Sequence, residues 1–259
     1  MTTDTTTDTT TDTTRLAGLA DRLRALHHGA MLVLPNAWDA ASAQAVAGAG
    51  FPAVATTSAA IAAALGYPDG QGTPVAEMFA ANARIARSVP VPVSMDAEGG
   101  YGLTAPELVE RLLDGGLVGC NLEDTDHRGG GLVDAEAQAG WLAAVRSAAD
   151  ATGVRIVVNA RVDVFLPTSG VAEDARVGEA IRRGRLYRDA GADCVYPIGV
   201  GDPGTMATLV AALDGPVNGN SNPDLDLGRL RALGVARVSY GPRFYRRALA
   251  DFTAALGDL

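Results

Sequence analysis

Two carboxylates separated by one residue, Asp96 and Glu98, stand immediately before the glycine-rich run Gly99-Gly100-Tyr101-Gly102. They follow the apolar run Val89 to Ser94, which reads as a buried strand. Side chains two apart at a strand end point to the same side. The glycines let the backbone turn tightly and leave space for a ligand. Hard oxygen ligands placed this way suit Mg²⁺, which keeps several waters and takes few protein carboxylates. A solvated acidic loop would have the same composition, so the choice rests on what else reaches this point.

The elements that must position these residues recur along the chain. Eight strand-like apolar runs occur at Met31–Trp38, Phe51–Ser58, Val91–Glu98, Gly119–Asp124, Arg155–Asp163, Cys194–Gly199, Pro216–Asn220 and Arg237–Gly241. Most are near-continuously apolar, as strands covered on both faces are. Helical patterns separate them at Ala40–Ala49, Glu77–Ser88, Ala105–Asp114, Asp134–Ala151, Ala172–Ala190, Asp202–Leu213, Asp226–Leu233 and Pro242–Leu256. Eight β-then-α units in one chain of 259 residues predict a (β/α)₈ TIM barrel. A leading helix, Arg15–His28, is expected to cover its floor. An open doubly wound sheet is the competing fold, but the first strand ends Leu34-Pro35-Asn36-Ala37-Trp38-Asp39 without a glycine-rich phosphate fingerprint.

In such a barrel the C-terminal strand ends form the active face. Read in order, they offer Asn36, Trp38 and Asp39; Thr56, Thr57 and Ser58; Asp96 and Glu98; Asn121, Glu123 and Asp124; Asn159, Arg161 and Asp163; Asn218 and Asn220; and Ser239. Asp96, Glu98 and Glu123 would repel one another at close range, and a divalent cation relieves that repulsion. Arg161 adds a planar fork suited to a carboxylate or phosphonate. Its alternative is an ion pair with Asp163 or Glu123.

Composition bounds the rest. The chain is 47% hydrophobic and 20% charged, with a net charge of −9. It has no basic stripe, which argues against nucleic-acid binding. No stretch of about 18 apolar residues suggests a membrane span. The two cysteines, Cys120 and Cys194, lie within apolar runs and read as buried thiols. That usage fits a reducing cytoplasm. Residues 1–14 are a Thr/Asp repeat, expected to be a disordered tail ahead of a single domain over 15–259.

The chain resembles the isocitrate lyase/phosphoenolpyruvate mutase superfamily. The resemblance rests on Leu34-Pro35-Asn36-Ala37-Trp38-Asp39, Thr56-Thr57-Ser58-Ala59-Ala60, Gly66-Tyr67-Pro68-Asp69, Met95 to Gly102, Asn121-Leu122-Glu123-Asp124, Asn159-Ala160-Arg161-Val162-Asp163 and Arg237 to Pro242, in the family's order. It implies a barrel that binds Mg²⁺, with Mn²⁺ able to substitute, and a small 2-oxo or enol carboxylate. The direct metal ligand would fall on Asp96, and further metal-shell carboxylates on Glu98, Glu123 and Asp69. Ser58, with the amides of Ala59 and Ala60, would hold the substrate carboxylate, and Arg161 would clamp it. Trp38 and Asn218 are further candidates for the substrate pocket. The resemblance also implies a homo-oligomer, dimer or tetramer.

Departures narrow the chemistry. The superfamily's isocitrate and methylisocitrate lyases carry a loop with a catalytic Cys. The matching stretch here, Asp124 to Leu132, has none, and it also lacks the Lys-Asn gate of phosphonopyruvate-forming mutases. His127 in this loop could donate a proton, since its ordinary pKa is near neutral, or could be merely an exposed loop histidine. The expected activity is a Mg²⁺-dependent lyase or decarboxylase that cleaves a C–C bond of a small 2-oxo or hydroxy dicarboxylate through a metal-stabilised enolate. The alternatives are a phosphonomutase acting on phosphoenolpyruvate or a carboxyphosphonate, and a non-catalytic diverged barrel.

Overall fold

The computed structural model describes residues 5–257. In chain order its helices and strands are α1 (Thr5–Ala25), β1 (Leu32–Leu34), β2 (Asn36–Ala37), α2 (Ala40–Gly48), β3 (Val54–Thr56), α3 (Ser58–Leu65), α4 (Val75–Arg87), β4 (Val93–Asp96), α5 (Ala105–Asp114), β5 (Gly119–Glu123), α6 (Ala135–Ala151), β6 (Val157–Val162), α7 (Arg176–Asp189), β7 (Cys194–Pro197), α8 (Pro203–Ala212), β8 (Asn218–Asn220), α9 (Leu227–Ala232), β9 (Arg237–Ser239) and α10 (Arg243–Gly257). Every pairing between these strands is parallel.

The expected (β/α)₈ barrel is present. Its first strand is broken in two by Pro35, which has no N–H to give a ladder. β1 pairs with β9 on one side, and β2 pairs with β3 on the other. This shift of partner at Pro35 lets the first strand close the ring. Between β7 and β8 the ring is joined by the bridge from Val195 to Val217.

One helix was not expected. The Ala-rich segment from Ser58 to Leu65 has no polar face to show a helical period, so Ser58 reads as a strand end in the sequence. It is instead the first residue of α3, which Gly66 closes in the left-handed conformation at φ 87°. The other helices begin near their expected caps. Asp39, Asp134, Asp202 and Asp226 each accept a first-turn amide hydrogen, and Thr104 forms a capping box with Glu107.

Helix α1 begins ahead of the expected Arg15, whose guanidinium reaches Asp12 one turn back. Of the expected tail, residues 1–4 lie outside the described residues. The buried face of α1, Leu16, Ala20 and Leu23, covers the barrel floor. A β-carbon on Gly119 would lie 2.8 Å from Leu23 Cδ2, so the missing side chain of Gly119 is what admits the helix.

Candidate metal and substrate site

The strand ends bring the predicted acids to one place. Glu98 and Glu123 are buried, with 2% and 3% of their surface exposed, and His127 is half-buried beside them. One ligand atom from each of these three lies within 4.8 Å of the others. His127 Nε2 is 2.5 Å from Glu123 Oε1. The imidazole is therefore not an exposed loop group, and its bond to Glu123 holds its pKa above the ordinary value.

Glu98 is gripped from two directions. Its Oε2 accepts the Gln71 amide at 2.5 Å, and its Oε1 accepts the Tyr101 hydroxyl. Burial nevertheless pushes its carboxyl up to about 7. Gln71, Glu98 and Tyr101 are the three non-glycine residues with positive φ among the described residues, at 63°, 47° and 57°. Their left-handed backbones are costly and all meet at this carboxylate. Such strain persists where surrounding contacts over-determine it, as they do at functional sites.

Arg161 is engaged by the protein's own acids. Its Nε and Nη2 form a bidentate pair with Asp163 at 2.6 and 2.7 Å. Nη2 also lies 2.5 Å from Glu123 Oε2, but too poorly aligned to hydrogen-bond, and Oε2 is left buried without a hydrogen-bond partner. Burial opposes the charge on Arg161, yet Glu123 and Asp163 keep the guanidinium protonated. Asp163 is held in turn by Thr125 Oγ1 at 2.5 Å, and its amide donates to Asp124. Asp124 accepts Arg183 and Tyr187 from α7. The ion pair foreseen as the alternative for Arg161 is thus the one formed.

Asp96 is turned away from the Glu98–Glu123–His127 cluster and toward α3. Its Oδ2 accepts both the amide and the hydroxyl of Ser58, at 3.0 and 2.8 Å. Asp69 is exposed and joins the same group through Ser58 Oγ at 3.4 Å. Ala59 and Ala60 lie in the first turn of α3, where helix amides have no intrahelical acceptor.

Two candidates are placed elsewhere. Trp38 packs edge-on against Tyr245 of α10, with ring centroids 5.5 Å apart, in an apolar groove shared with Phe51 and Phe244. Asn218 is fully buried and is engaged with Asn159, Gly219 and Ser239. Alternation along strands places both at or near the barrel's end, but it does not tell mouth from interior.

A cleft of about 510 Å³, lined by His127 and Tyr101 but not by Glu98 or Glu123, opens between the segment at Gly70 to Thr73 and the loop carrying Asp126 to Arg128. That loop is ordered by its own backbone. Asp126 Oδ1 accepts the amides of Arg128 and Gly129, and Thr125 bridges Leu132. Gly99 lets it approach, since a β-carbon there would meet Gln71 Nε2 at 2.8 Å and His127 Cδ2 at 3.3 Å. Gly100 has φ 83°, and a β-carbon would sit 2.5 Å from the Trp141 ring. Gly100→Ala should therefore destabilise the fold by about 2–4 kcal/mol, combining overpacking with positive-φ strain. Urea unfolding measures this, and an unchanged midpoint would refute the packing argument.

Gln71, Thr125 and Tyr196 are site residues missed in the sequence. Tyr196 lies opposite Arg161 in the β6–β7 register, and its hydroxyl donates to Asn220 at 2.6 Å. Its inward position two residues after Cys194 is the signal that could have found it. Gln71 gave none, because a glutamine between two glycines reads as a turn.

The family model described as phosphoenolpyruvate phosphomutase matches residues 23–259. A protein of Corynebacterium glutamicum named "Probable 2-methylisocitrate lyase 2" is 32% identical over 238 residues, covering 87% of this chain and 75% of the relative. An uncharacterised protein of Mycobacterium tuberculosis is 34% identical over 225 residues, covering 86% and 83%. The crystal structure of a candidate phosphonomutase from Burkholderia cenocepacia superposes with TM-score 0.85 at 38% identity, covering 92% of this chain and 99% of that one. The chain belongs to the phosphoenolpyruvate phosphomutase family, within the isocitrate lyase/PEP mutase superfamily. Members of this superfamily are enzymes, among them lyases, decarboxylases and phosphonomutases.

Proposed function

We propose that this protein is a Mg²⁺-dependent lyase or decarboxylase that breaks a C–C bond in a small 2-oxo or hydroxy dicarboxylate. The observation that carries the reading is the buried Glu98–Glu123–His127 cluster, in which Glu123 Oε2 has no hydrogen-bond partner. That oxygen already faces the Arg161 guanidinium 2.5 Å away, so it accommodates positive charge, and a bound cation would share it with Arg161. Glu98 and Glu123 would hold the metal, with Asp96 and Asp69 as further carboxylates beside it. Oxygen donors suit Mg²⁺, and the imidazole leaves Mn²⁺ acceptable. A bound divalent ion would supply positive charge to oxygen that becomes anionic as the bond breaks.

The chain's own residues account for the rest. Ser58 and the free first-turn amides of α3 would bind one carboxylate of the substrate. Arg161, already protonated and oriented by Asp163, would meet the other and stabilise developing negative charge. His127, kept basic by Glu123, would hold the proton returned to carbon. Neither cysteine can take that role. Both are fully buried, and burial pushes their thiols up to about 12.

Phosphonomutase chemistry on phosphoenolpyruvate or a carboxyphosphonate is the second reading, favoured by the likeness to the Burkholderia structure. Proton and phosphorus NMR of Mg²⁺-loaded protein with oxaloacetate, substituted malates, methylisocitrate, phosphoenolpyruvate and phosphonopyruvate separates the two. Pyruvate or glyoxylate formed by wild type and lost in Glu123→Gln supports the lyase. A new phosphorus resonance moves the assignment to P–C chemistry. Turnover unchanged in Glu123→Gln would show that the cluster is not the active site. We propose a cytoplasmic homo-oligomer acting without nucleic acid or membrane; no helix among the described residues is long and apolar enough to cross a membrane.

A further inference from the structure

The barrel interior beneath the acids contains a buried cation that the chemistry above does not use. Arg237, on β9, is fully buried and heads the largest fully buried side chains. No carboxylate pairs with it among the described residues. Its Nε and Nη1 have no hydrogen-bond partner, and Nη2 donates to Asn121 Oδ1 at 3.1 Å. Burying a guanidinium with so little compensation costs several kcal/mol, and an apolar side chain of similar volume would avoid that cost.

The single bond it makes is informative. β5 and β9 lie on opposite walls of the ring, separated by β6, β7 and β8 on one side. Arg237 therefore spans the interior. Asn121 Oδ1 accepts a second hydrogen bond from Asn159 Nδ2, at 2.8 Å. A guanidinium can only donate, so the face of the amide turned to Arg237 must be its oxygen. The NH₂ group is thereby directed toward β4, where Nδ2 lies 3.4 Å from Oδ1 of Asp96, the register partner of Asn121. The other oxygen of Asp96 is held by Ser58.

We propose that Arg237 is a positioning residue for the acidic site: across the barrel it locks the Asn121 amide with its NH₂ toward Asp96, and so fixes the Asp96 carboxylate between Asn121 and Ser58. Its functional weight rests on the reading of Asp96 as part of a metal site; the amide lock itself does not. Without Arg237, Asn159 alone holds the Asn121 oxygen, and the amide is freer to turn that oxygen toward the carboxylate and loosen Asp96 from Ser58.

Two measurements on the full chain test this. The first needs no metal. In ¹⁵N-labelled protein the Asn121 side-chain amide, assigned by its loss in Asn121→Ala, should shift when Asp96→Asn is introduced. In an Arg237→Met background that response should vanish. Persistence of the response would overturn the proposal. Thermal unfolding checks that each variant is folded. If Arg237→Met does not fold, Arg237→Gln serves instead, since its shorter neutral side chain leaves a polar group in the interior without the length to cross to Asn121. The second measurement is Mn²⁺ affinity by electron paramagnetic resonance. Arg237→Met should weaken it about tenfold or more, the usual scale for residues behind metal ligands. In Asn121→Ala the same substitution should have no further effect. Additive losses would show a role through charge alone and reject the lock. Wild type that binds no Mn²⁺ would remove the metal reading, while the amide measurement would still decide the role of Arg237.

Discussion

Replacing Arg161 with methionine should destabilise the metal-free protein by about 3–5 kcal/mol, the scale for removing one partner of a buried ion pair. The substitution strands Glu123 and Asp163, which are 3% and 0% exposed and share this one guanidinium. Asp163 keeps its bond from Thr125 and Glu123 keeps His127 on Oε1, but Glu123 Oε2, which has no hydrogen bond, loses the guanidinium beside it. Mg²⁺ should restore part of the lost stability, because a cation at Glu123 replaces the missing charge and binding to the native state stabilises by mass action. Turnover should stay low in the restored protein, since the clamp for the substrate carboxylate is gone. Calorimetry with and without Mg²⁺ reads both halves. A small loss, unaffected by Mg²⁺, would separate Arg161 from the metal site. Arg161→Lys should recover only part of the stability, because an ammonium cannot make the bidentate pair with Asp163.

The second large effect concerns Glu98 and pH. Its folded-state pKa of about 7 lies above the ordinary 4.5, with burial the main cause. Between those values the native state holds a proton that the unfolded chain has released. Stability of the metal-free protein should therefore fall as pH rises from about 4.5 to 7, by up to about 3 kcal/mol from this group. His127 acts in the same direction. Its pKa is raised by Glu123, so its contribution is full below the unfolded value of 6.5 and is lost as pH climbs through the folded one. Glu98→Gln should remove most of this slope and make the metal-free protein more stable at pH 8 than wild type, with little difference at pH 5. The same variant should bind Mn²⁺ more weakly, because a ligand charge is lost. Mg²⁺ should invert the pH trend in wild type, since metal competes with protons for the carboxylates. Denaturation at pH 5 and pH 8, with and without Mg²⁺, tests each part. Wild-type stability that rises from pH 5 to pH 7 without metal would contradict the burial of Glu98.

These effects follow from opposing demands on one cluster. Two buried carboxylates, Glu98 and Glu123, cost stability where they meet, and the left-handed backbones of Gln71, Glu98 and Tyr101 add to that cost. A site that binds a cation needs the charge left partly uncompensated. Stability and function therefore pull against each other at Glu98, as they do at many active sites.

Much of the frame was legible in the amino-acid sequence. Strand and helix positions follow from apolar periodicity and from Pro and Gly at element ends, which are local properties. The placement of Asp96, Glu98, Glu123 and Arg161 at one end follows from strand direction alone, because parallel strands share a C-terminal face. Helix α3 escaped because its alanine-rich segment has no polar face to reveal its period.

The tertiary structure decided how those residues are used. Arg161 was read as a clamp with Asp163 or Glu123 as its alternative, and only the packing of β5 against β6 shows both acids on it. Asp96 was expected as the direct metal ligand, yet the entry of α3 presents Ser58 to it. His127 meets Glu123 because the loop folds back over Gly99. Arg237 reads as an ordinary strand residue until closure at Pro35 sets β9 opposite β5. Sequence pattern records which face a residue takes on its own element. Distances between groups 38 or 116 positions apart, as for Asp96 with Ser58 or Arg237 with Asn121, are set by register, ring closure and side-chain competition, which no local pattern encodes.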